Sequence, residues 1–189
     1  SSLPLLALRI AFEEANLSAL FMRSATGPAD DCELSRIPAH AQLAANLAQA
    51  RVFVHRDFMP RNLMVSQPAP GVLDFQDAVH GPVSYDIACL YRDAFLSWPE
   101  DVVLDGTIRY WERARDAGLP VPADFGDFWR DVEWMGLQRH LKVLGIFARL
   151  RYRDGKPAYL EDAPRFLGYV RATAERYREL APLARLVDR

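Results

Sequence analysis

The sequence predicts a mostly α-helical protein that carries a small β-hairpin insertion. Apolar residues recur at helical spacing over several long stretches, a pattern typical of amphipathic helices. Short runs of β-branched and aromatic residues cluster between residues 52 and 73. The chain has 189 residues, of which 50% are hydrophobic and 25% charged. This length is enough for one buried core or for one domain with an appendage.

Two helices are predicted in the N-terminal segment, residues 1–50. The first covers Leu3–Met22, where the apolar side chains keep a helical spacing. The sequence ATGPADD, residues 25–31, interrupts this pattern. The second helix covers residues 32–50, with Pro38 either near its start or at a kink.

The predicted β insertion consists of three short runs. Val52–Val54 is the first run, and Leu63–Val65 and Val72–Leu73 form a hairpin around the turn SQPAPG. From Val83 onward the pattern becomes helical, with helices expected at Asp86–Phe95, Asp101–Asp116, Phe125–Leu150 and Pro164–Leu180. The larger predicted domain is therefore residues 51–189, and its helical part is residues 83–189.

Composition and charge exclude several classes of function. A formal net charge of −2 gives no overall attraction to nucleic acid or to an anionic membrane. Cys32 and Cys89 are too few and too far apart for a disulfide framework or a metal cluster, which indicates two reduced, partly buried thiols. No apolar run is long enough to span a bilayer and no signal sequence is recognisable, so a cytoplasmic protein is expected.

The stretch VFVHRDFMPRNLMV, residues 52–65, carries the clearest chemical pattern. Phosphoryl transfer needs a carboxylate that orients the acceptor hydroxyl and accepts its proton, together with oxygen ligands for Mg²⁺. Asp57 is a candidate base, and Asn62 follows it on the same loop as an amide ligand. Asp74 follows the next strand, and the hairpin would return it beside Asn62. This is the protein-kinase layout H-R-D-x-x-x-x-N followed by D-F. Alternatively, Asp57 and Asn62 are turn formers that close a hairpin.

A resemblance to one family rests on three stretches: FVHRDFMPRNLMV, GVLDFQDAVHGPVSYDIACLYRDAF and EWMGLQRHLKVLGIFARLRYRDGK. They resemble the aminoglycoside phosphotransferase and choline kinase family of small-molecule kinases. Within it they are most similar to the bacterial anomeric kinases of N-acetylmuramate and N-acetylglucosamine, which serve cell-wall recycling. The resemblance runs from about Val52 to the C-terminus. It implies the C-terminal lobe of a protein-kinase-like fold, with ATP and Mg²⁺ as cofactors.

The resemblance also implies roles for several polar residues of the catalytic loop (55–62) and of the strand end at 74–77. Asp57 would be the catalytic base, and Asn62 and Asp74 would bind Mg²⁺.

Three further residues would support or extend this site. His55 would support the loop through its ring and backbone. Asp86 would brace the catalytic loop from a helix start, unless it is an ordinary N-terminal cap. Asp77 would either contact substrate or begin a turn.

The nucleotide-binding lobe of such a kinase has no counterpart in the sequence. That lobe carries a Gly-rich loop over the phosphates and a lysine on a strand. Before His55 the chain contains one glycine, Gly27, and no lysine. The expectation is therefore a C-terminal lobe whose N-terminal lobe is absent, or is supplied upstream or in trans.

The acceptor side is predicted less directly. Arg139, Lys142 and the basic residues that follow them as far as Lys156 suit a neutral or anionic acceptor, or form a solvated helix face. Trp134 would stack on a sugar ring, unless it belongs to an apolar helical stripe with Leu137, Leu141 and Leu144.

Three functions compete on these grounds. The first is a kinase that phosphorylates an amino sugar, with the nucleotide and the sugar as small-molecule partners. The second is a non-catalytic kinase remnant that binds a sugar or a partner chain. The third is an aminoglycoside phosphotransferase of antibiotic resistance, which the basic segment disfavours because aminoglycosides are polycations.

Overall fold

The computed structural model describes residues 38–156 and 161–187, which form two compact units. The first unit comprises residues 44–136, and the second comprises residues 38–43, 137–156 and 161–187. The elements in chain order are α1 (Pro38–Ala48), β1 (Arg51–Val54), a 3-10 helix (Pro60–Asn62), β2 (Leu63–Met64), β3 (Gly71–Val72), β4 (Val79–Pro82), α2 (Tyr85–Tyr91), α3 (Glu100–Asp116), α4 (Phe125–Tyr152), α5 (Ala163–Arg176), a 3-10 helix (Arg178–Leu180) and α6 (Ala181–Val187).

The mostly helical fold with a small β part is confirmed for the described residues. The predicted helix Leu3–Met22 and the start of the second predicted helix lie outside them. Helices α3 and α4 match their predictions to within two residues. The prediction of one helix to Leu180 was wrong, because α5 ends at Arg176 and an extended Tyr177 separates it from the next turn.

The β part consists of two separate two-stranded sheets. The predicted hairpin is present, with Leu63 of β2 opposite Val72 of β3. Strand β1 does not join it but pairs antiparallel with β4, so that Val54 lies opposite Val79. Strand β4 was not predicted. Together the two pairs hold residues 55–62 and 73–78 as the loops between them.

The core of the first unit packs α2 and the first turns of α4 against each other, at Val83, Ile87, Ala88, Phe128, Val132 and Met135. A buried polar chain adds to this packing. The Ser84 hydroxyl donates to Oε1 of Gln49 at 2.6 Å, and Nε2 of Gln49 donates to the backbone carbonyl of Asp131 at 3.5 Å. These bonds connect three elements: the end of α1, the start of α2, and α4. They therefore fix the position at which α2, the helix that carries Asp86, begins.

Helix α3 shows local signals at both ends. Glu100 and Asp101 occupy its first turn and Arg113 and Arg115 its last, which complements the helix dipole. Gly118 follows with φ +73°, and the next N–H bonds back to the carbonyl of Ala114 at 2.8 Å. This left-handed C-terminal cap stops the helix, since only glycine adopts such a backbone conformation without strain.

The second unit is a helical cluster with an aromatic centre. Phe166 of α5 is fully buried and makes edge contacts with the rings of His140 and Phe147 of α4, at centroid separations of 5.6 and 5.4 Å. Tyr169 stacks on His140 at 4.9 Å. Leu180 and Leu183 complete the buried set from the C-terminal helices. Within the described residues, no helix has the length and apolar character needed to cross a membrane.

Candidate functional site

The catalytic loop runs from the buried end of β1 to the start of β2. Val54 anchors its beginning in the core, and the 3-10 helix Pro60–Asn62 forms its end. Inside the loop the N–H of Met59 bonds to the carbonyl of Asp57 at 2.8 Å. The N–H of Asn62 bonds to the carbonyl of Met59 at 2.9 Å. The backbone between the candidate base and the candidate amide ligand is therefore tightly folded rather than extended.

Helix α2 holds the beginning of this loop through Asp86. One carboxylate oxygen accepts the backbone N–H of His55 at 2.7 Å, and the other accepts that of Arg56 at 3.0 Å. One turn later, the thiol of the fully buried Cys89 donates to the carbonyl of Arg56 at 3.1 Å. Arg56 has φ +76°, a strained conformation for a residue with a side chain. These three bonds offset that strain and fix the peptide immediately before Asp57.

His55 makes contacts with both its ring and its backbone N–H. Its side chain is buried and its ring lies edge-on to Phe58, with ring centroids 6.0 Å apart. Neither ring nitrogen has a hydrogen-bond partner in the described part of the chain. The backbone N–H of His55 supplies the polar contact, while the ring packs.

Asn62 links the catalytic loop to the hairpin. Its side-chain Nδ2 donates to the carbonyl of Asp57 at 2.9 Å, which leaves Oδ1 as the amide atom that can face a cation. Its backbone carbonyl accepts the N–H of Leu73 at 2.9 Å. Leu73 directly precedes Asp74, so the hairpin brings Asp74 to the same end as Asn62. Asp74 has φ +60°, a conformation that Asp tolerates better than most residues.

The exposure of the two candidate carboxylates differs. Asp57 is half-buried and Asp74 is exposed. No cluster of three or more His, Cys, Asp or Glu side chains that could hold a metal occurs among the described residues. The arrangement at Asn62 and Asp74 instead offers one amide oxygen and one carboxylate. This donor set fits Mg²⁺, which prefers hard oxygen ligands and keeps several of its own waters.

Arg56 and Asp77 connect the two loops. The Arg56 guanidinium donates from Nη1 to the backbone carbonyl of Asp77 at 3.2 Å. The Asp77 carboxylate is exposed, in a turn that follows Asp74. Arg56 therefore ties the segment after Asp74 to the loop that carries Asp57. Neither Arg56 nor Cys89 was identified from the sequence as part of the site, and their spacing gave no signal for these contacts.

The family of the chain follows from comparison with known proteins. The sequence pattern of the phosphotransferase enzyme family matches residues 11–125. The chain belongs to this family.

Curated proteins are also similar in sequence to this chain. The chain is 63% identical over 141 residues to the N-acetylmuramate/N-acetylglucosamine kinase of Neisseria meningitidis, covering 75% of this chain and 42% of that protein. It is 61% identical over 141 residues to the protein of the same name from Pseudomonas aeruginosa, with the same coverage. For the protein of the same name from Caulobacter vibrioides, the identity is 34% over 128 residues, covering 65% of this chain and 34% of that protein. The matched stretch is thus less than half of each relative.

A half-buried tyrosine of α3, Tyr110, lies near the carboxylate that holds the catalytic loop. Burial, and to a lesser degree the charge of Asp86, raises the pKa of the Tyr110 hydroxyl. Tyr110 also stacks on Phe128, with ring centroids 5.9 Å apart. The hydroxyl stays protonated at neutral pH, and the ring packs α3 against α4.

The residues expected on the acceptor side belong to different units. Trp134 belongs to the first unit and is 2% exposed, with Arg130 4.4 Å from its ring centroid. Its burial corrects the expectation of a stacking platform and agrees with the alternative of core packing. Arg139 and Lys142 belong to the second unit, where Arg139 is half-buried and Lys142 exposed.

Proposed function

We propose that the chain is the acceptor-binding and metal-binding part of a kinase that transfers the γ-phosphoryl group of ATP to a hydroxyl of an amino sugar. The observation that carries this proposal is the hydrogen bond from Leu73 to Asn62, which returns Asp74 to the end of the loop that holds Asp57. The acceptor class, N-acetylmuramate or N-acetylglucosamine, is supported by the names of the relatives. As the family resemblance implies, the reaction would take place in the cytoplasm and serve peptidoglycan recycling.

The proposed mechanism gives each residue one task. Asp57 accepts the hydrogen bond of the acceptor hydroxyl, and takes its proton as the new oxygen–phosphorus bond forms. The bond from the γ-phosphorus to the bridging oxygen breaks at the same time, and ADP leaves with that oxygen. Asn62 Oδ1 and the Asp74 carboxylate would hold Mg²⁺, which neutralises charge on the phosphate oxygens. Asp86, through His55 and Arg56, keeps Asp57 in position.

The proposal includes a nucleotide-binding lobe, supplied upstream or in trans. Large apolar side chains around the two sheets are exposed: Phe53, Met64, Val65, Val72, Leu73, Phe75 and Val79. Such a concentration of exposed apolar side chains in one short part of the chain is unusual for a surface in contact with water alone. The relatives are also much longer than the stretch that matches this chain. Both observations support a further lobe that covers these side chains and clamps the phosphates.

The first experiment uses the full-length gene product that contains this chain. The protein is incubated with Mg-ATP and either sugar, and sugar phosphate is measured. Asp57→Asn is expected to lower kcat by about 10²–10⁴-fold with little change in nucleotide affinity, because it keeps the shape but removes the base. Asp74→Ala is expected to weaken nucleotide-dependent Mn²⁺ binding. Asp116→Asn, which changes an exposed carboxylate at the end of α3, is the control. Absence of sugar phosphate, or full activity in Asp57→Asn, would refute the proposal.

The 189-residue chain alone is expected to fold and to show no turnover. Preorganised contacts to the transferring phosphoryl group commonly supply several kcal/mol of transition-state stabilisation, on the order of a thousandfold or more in rate. Those contacts would come from the other lobe. Robust turnover by the isolated chain, abolished in Asp57→Asn, would show that the chain supplies its own phosphate clamp.

A further inference from the structure

Arg61 lies inside the catalytic loop, between Pro60 and Asn62, and its guanidinium is stacked on an aromatic ring. The Arg61 Cζ is 3.5 Å from the ring centroid of Phe95. Both side chains are exposed, Phe95 by 52%. Among the residues that the structure describes, no carboxylate pairs with this guanidinium. An unpaired, exposed cation is therefore held in a defined orientation on the loop that carries Asp57.

The ring under Arg61 is itself fixed by a buried group. Asp93 is 2% exposed, and its Oδ2 accepts the backbone N–H of Phe95 at 2.9 Å and of Leu96 at 3.0 Å. These bonds end α2 and turn the chain so that Phe95 projects outward. The position of the guanidinium thus depends on a buried carboxylate through an aromatic ring, rather than on a flexible surface side chain alone.

This geometry suits recognition of a carboxylate. A planar guanidinium offers a fork of N–H donors that matches both oxygens of a carboxylate. Stacking on an aromatic face leaves the edge of that fork available, and reduces the entropy lost when a ligand binds. The chain connection from Asp57 to Arg61 is short and folded by the bonds within the loop. A molecule placed for attack at Asp57 would therefore meet the loop that carries Arg61.

We propose that Arg61, held by Phe95, binds the carboxylate of an acidic acceptor sugar and sets the preference between acidic and neutral acceptors. This inference rests on the proposed kinase function. N-acetylmuramate carries a carboxylate that N-acetylglucosamine lacks, so the two sugars form a matched pair that differs in the group Arg61 would contact.

The test compares kcat/KM for the two sugars in the full-length protein. In Arg61→Met, the ratio of kcat/KM for N-acetylmuramate to that for N-acetylglucosamine is expected to fall about 10- to 100-fold, the effect of one charge-assisted interaction. Phe95→Leu, which removes the aromatic face, is expected to lower the ratio about 2- to 5-fold. The double variant should match Arg61→Met, because both changes act on one contact. Arg109→Met, an exposed arginine of α3, is the control and should leave the ratio unchanged.

The outcomes separate this inference from the function on which it rests. A ratio that falls at least threefold in Arg61→Met and stays constant in Arg109→Met supports carboxylate recognition. A ratio that changes less, including equal losses for both sugars, overturns it and assigns Arg61 to loop support. If the wild-type protein phosphorylates neither sugar, the proposed function itself fails, and this inference fails with it.

Discussion

The side-chain amide of Asn62 donates a hydrogen bond to the backbone carbonyl of Asp57 at 2.9 Å. The residue proposed to hold the metal therefore also holds the residue proposed as base. The amide nitrogen makes this contact, so the oxygen is left for a cation. An amide supplies both a donor and an acceptor, whereas a carboxylate supplies acceptors alone.

Substitution of Asn62 by Asp should separate these two tasks. The new carboxylate keeps oxygen for the metal but removes the donor and places negative charge beside the Asp57 carbonyl. We expect Mn²⁺ affinity in the full-length protein to be retained while kcat falls about 10- to 100-fold, the range for a slightly misplaced catalytic group. Asn62→Ala should lose both properties. Mn²⁺ binding followed by electron paramagnetic resonance, together with kcat, tests this. Equal loss of Mn²⁺ binding in both variants would argue against the assigned amide orientation.

Substitution of Asp86 by Asn should loosen the start of the catalytic loop. Asn offers one acceptor oxygen in place of two and turns an N–H group toward one of the two backbone donors. We expect the amide-exchange protection of His55 and Arg56 to fall about 10- to 100-fold, because an unsatisfied donor costs about 1–3 kcal/mol. Native-state hydrogen exchange measures this residue by residue. Asp77→Asn is the control, and unchanged protection in Asp86→Asn would show that these bonds do not hold the loop.

The loop at residues 55–62 could be predicted because its residue pattern is encoded in consecutive positions, and its catalytic role stays a prediction. The spacing from Asp57 to Asn62, and the strand before Asp74, are local properties of the chain. The strand β4 could not be predicted in this way. Its sequence VHGP contains glycine and proline, which are rare in strands, and it forms through pairing with β1 some thirty residues earlier.

The end of α2 shows how a side chain can override a helical pattern. The apolar spacing predicted a helix over Asp86–Phe95, but the helix ends at Tyr91. The Asp93 carboxylate accepts the backbone N–H groups of Phe95 and Leu96. These bonds compete with the helical bonds that the same N–H groups would otherwise make. The contacts of Cys89 and Arg56 were missed for a related reason: residues 33 positions apart meet through the fold, which local spacing does not reveal.

Gly106 of α3 permits the close approach of Tyr91 from α2. A Cβ atom at this position would overlap the hydroxyl end of the Tyr91 ring. We therefore expect Gly106→Ala to destabilise the protein by about 1–3 kcal/mol, the usual cost of overpacking, despite the better helix propensity of alanine. Gly168 of α5 has open space around it and serves as the control. Gly168→Ala should stabilise by about 0.5–1 kcal/mol. Urea denaturation measures both, and equal stabilisation would contradict the contact.

Asp131 should make stability depend on pH. Burial raises the pKa of its carboxyl from 3.8 to about 6; the charge of Arg130 opposes this shift and that of Asp127 adds to it. Between about pH 4 and 6 the folded protein therefore keeps a proton that the unfolded chain has released, so the contribution of Asp131 to stability falls as pH rises through this window.

Asp131→Asn removes the ionisable group while keeping its shape. The backbone carbonyl that accepts from Ser84 and Gln49 is unchanged by this substitution. We expect no gain at pH 4, where Asp131 is protonated in the folded state, and a gain of about 1 kcal/mol at pH 8 after allowance for solvent screening. Urea denaturation of wild type and variant at both pH values provides the comparison. A gain of the same size at both pH values would mean that the substitution acts through packing, and that the carboxylate carries no penalty for being ionised in the folded protein.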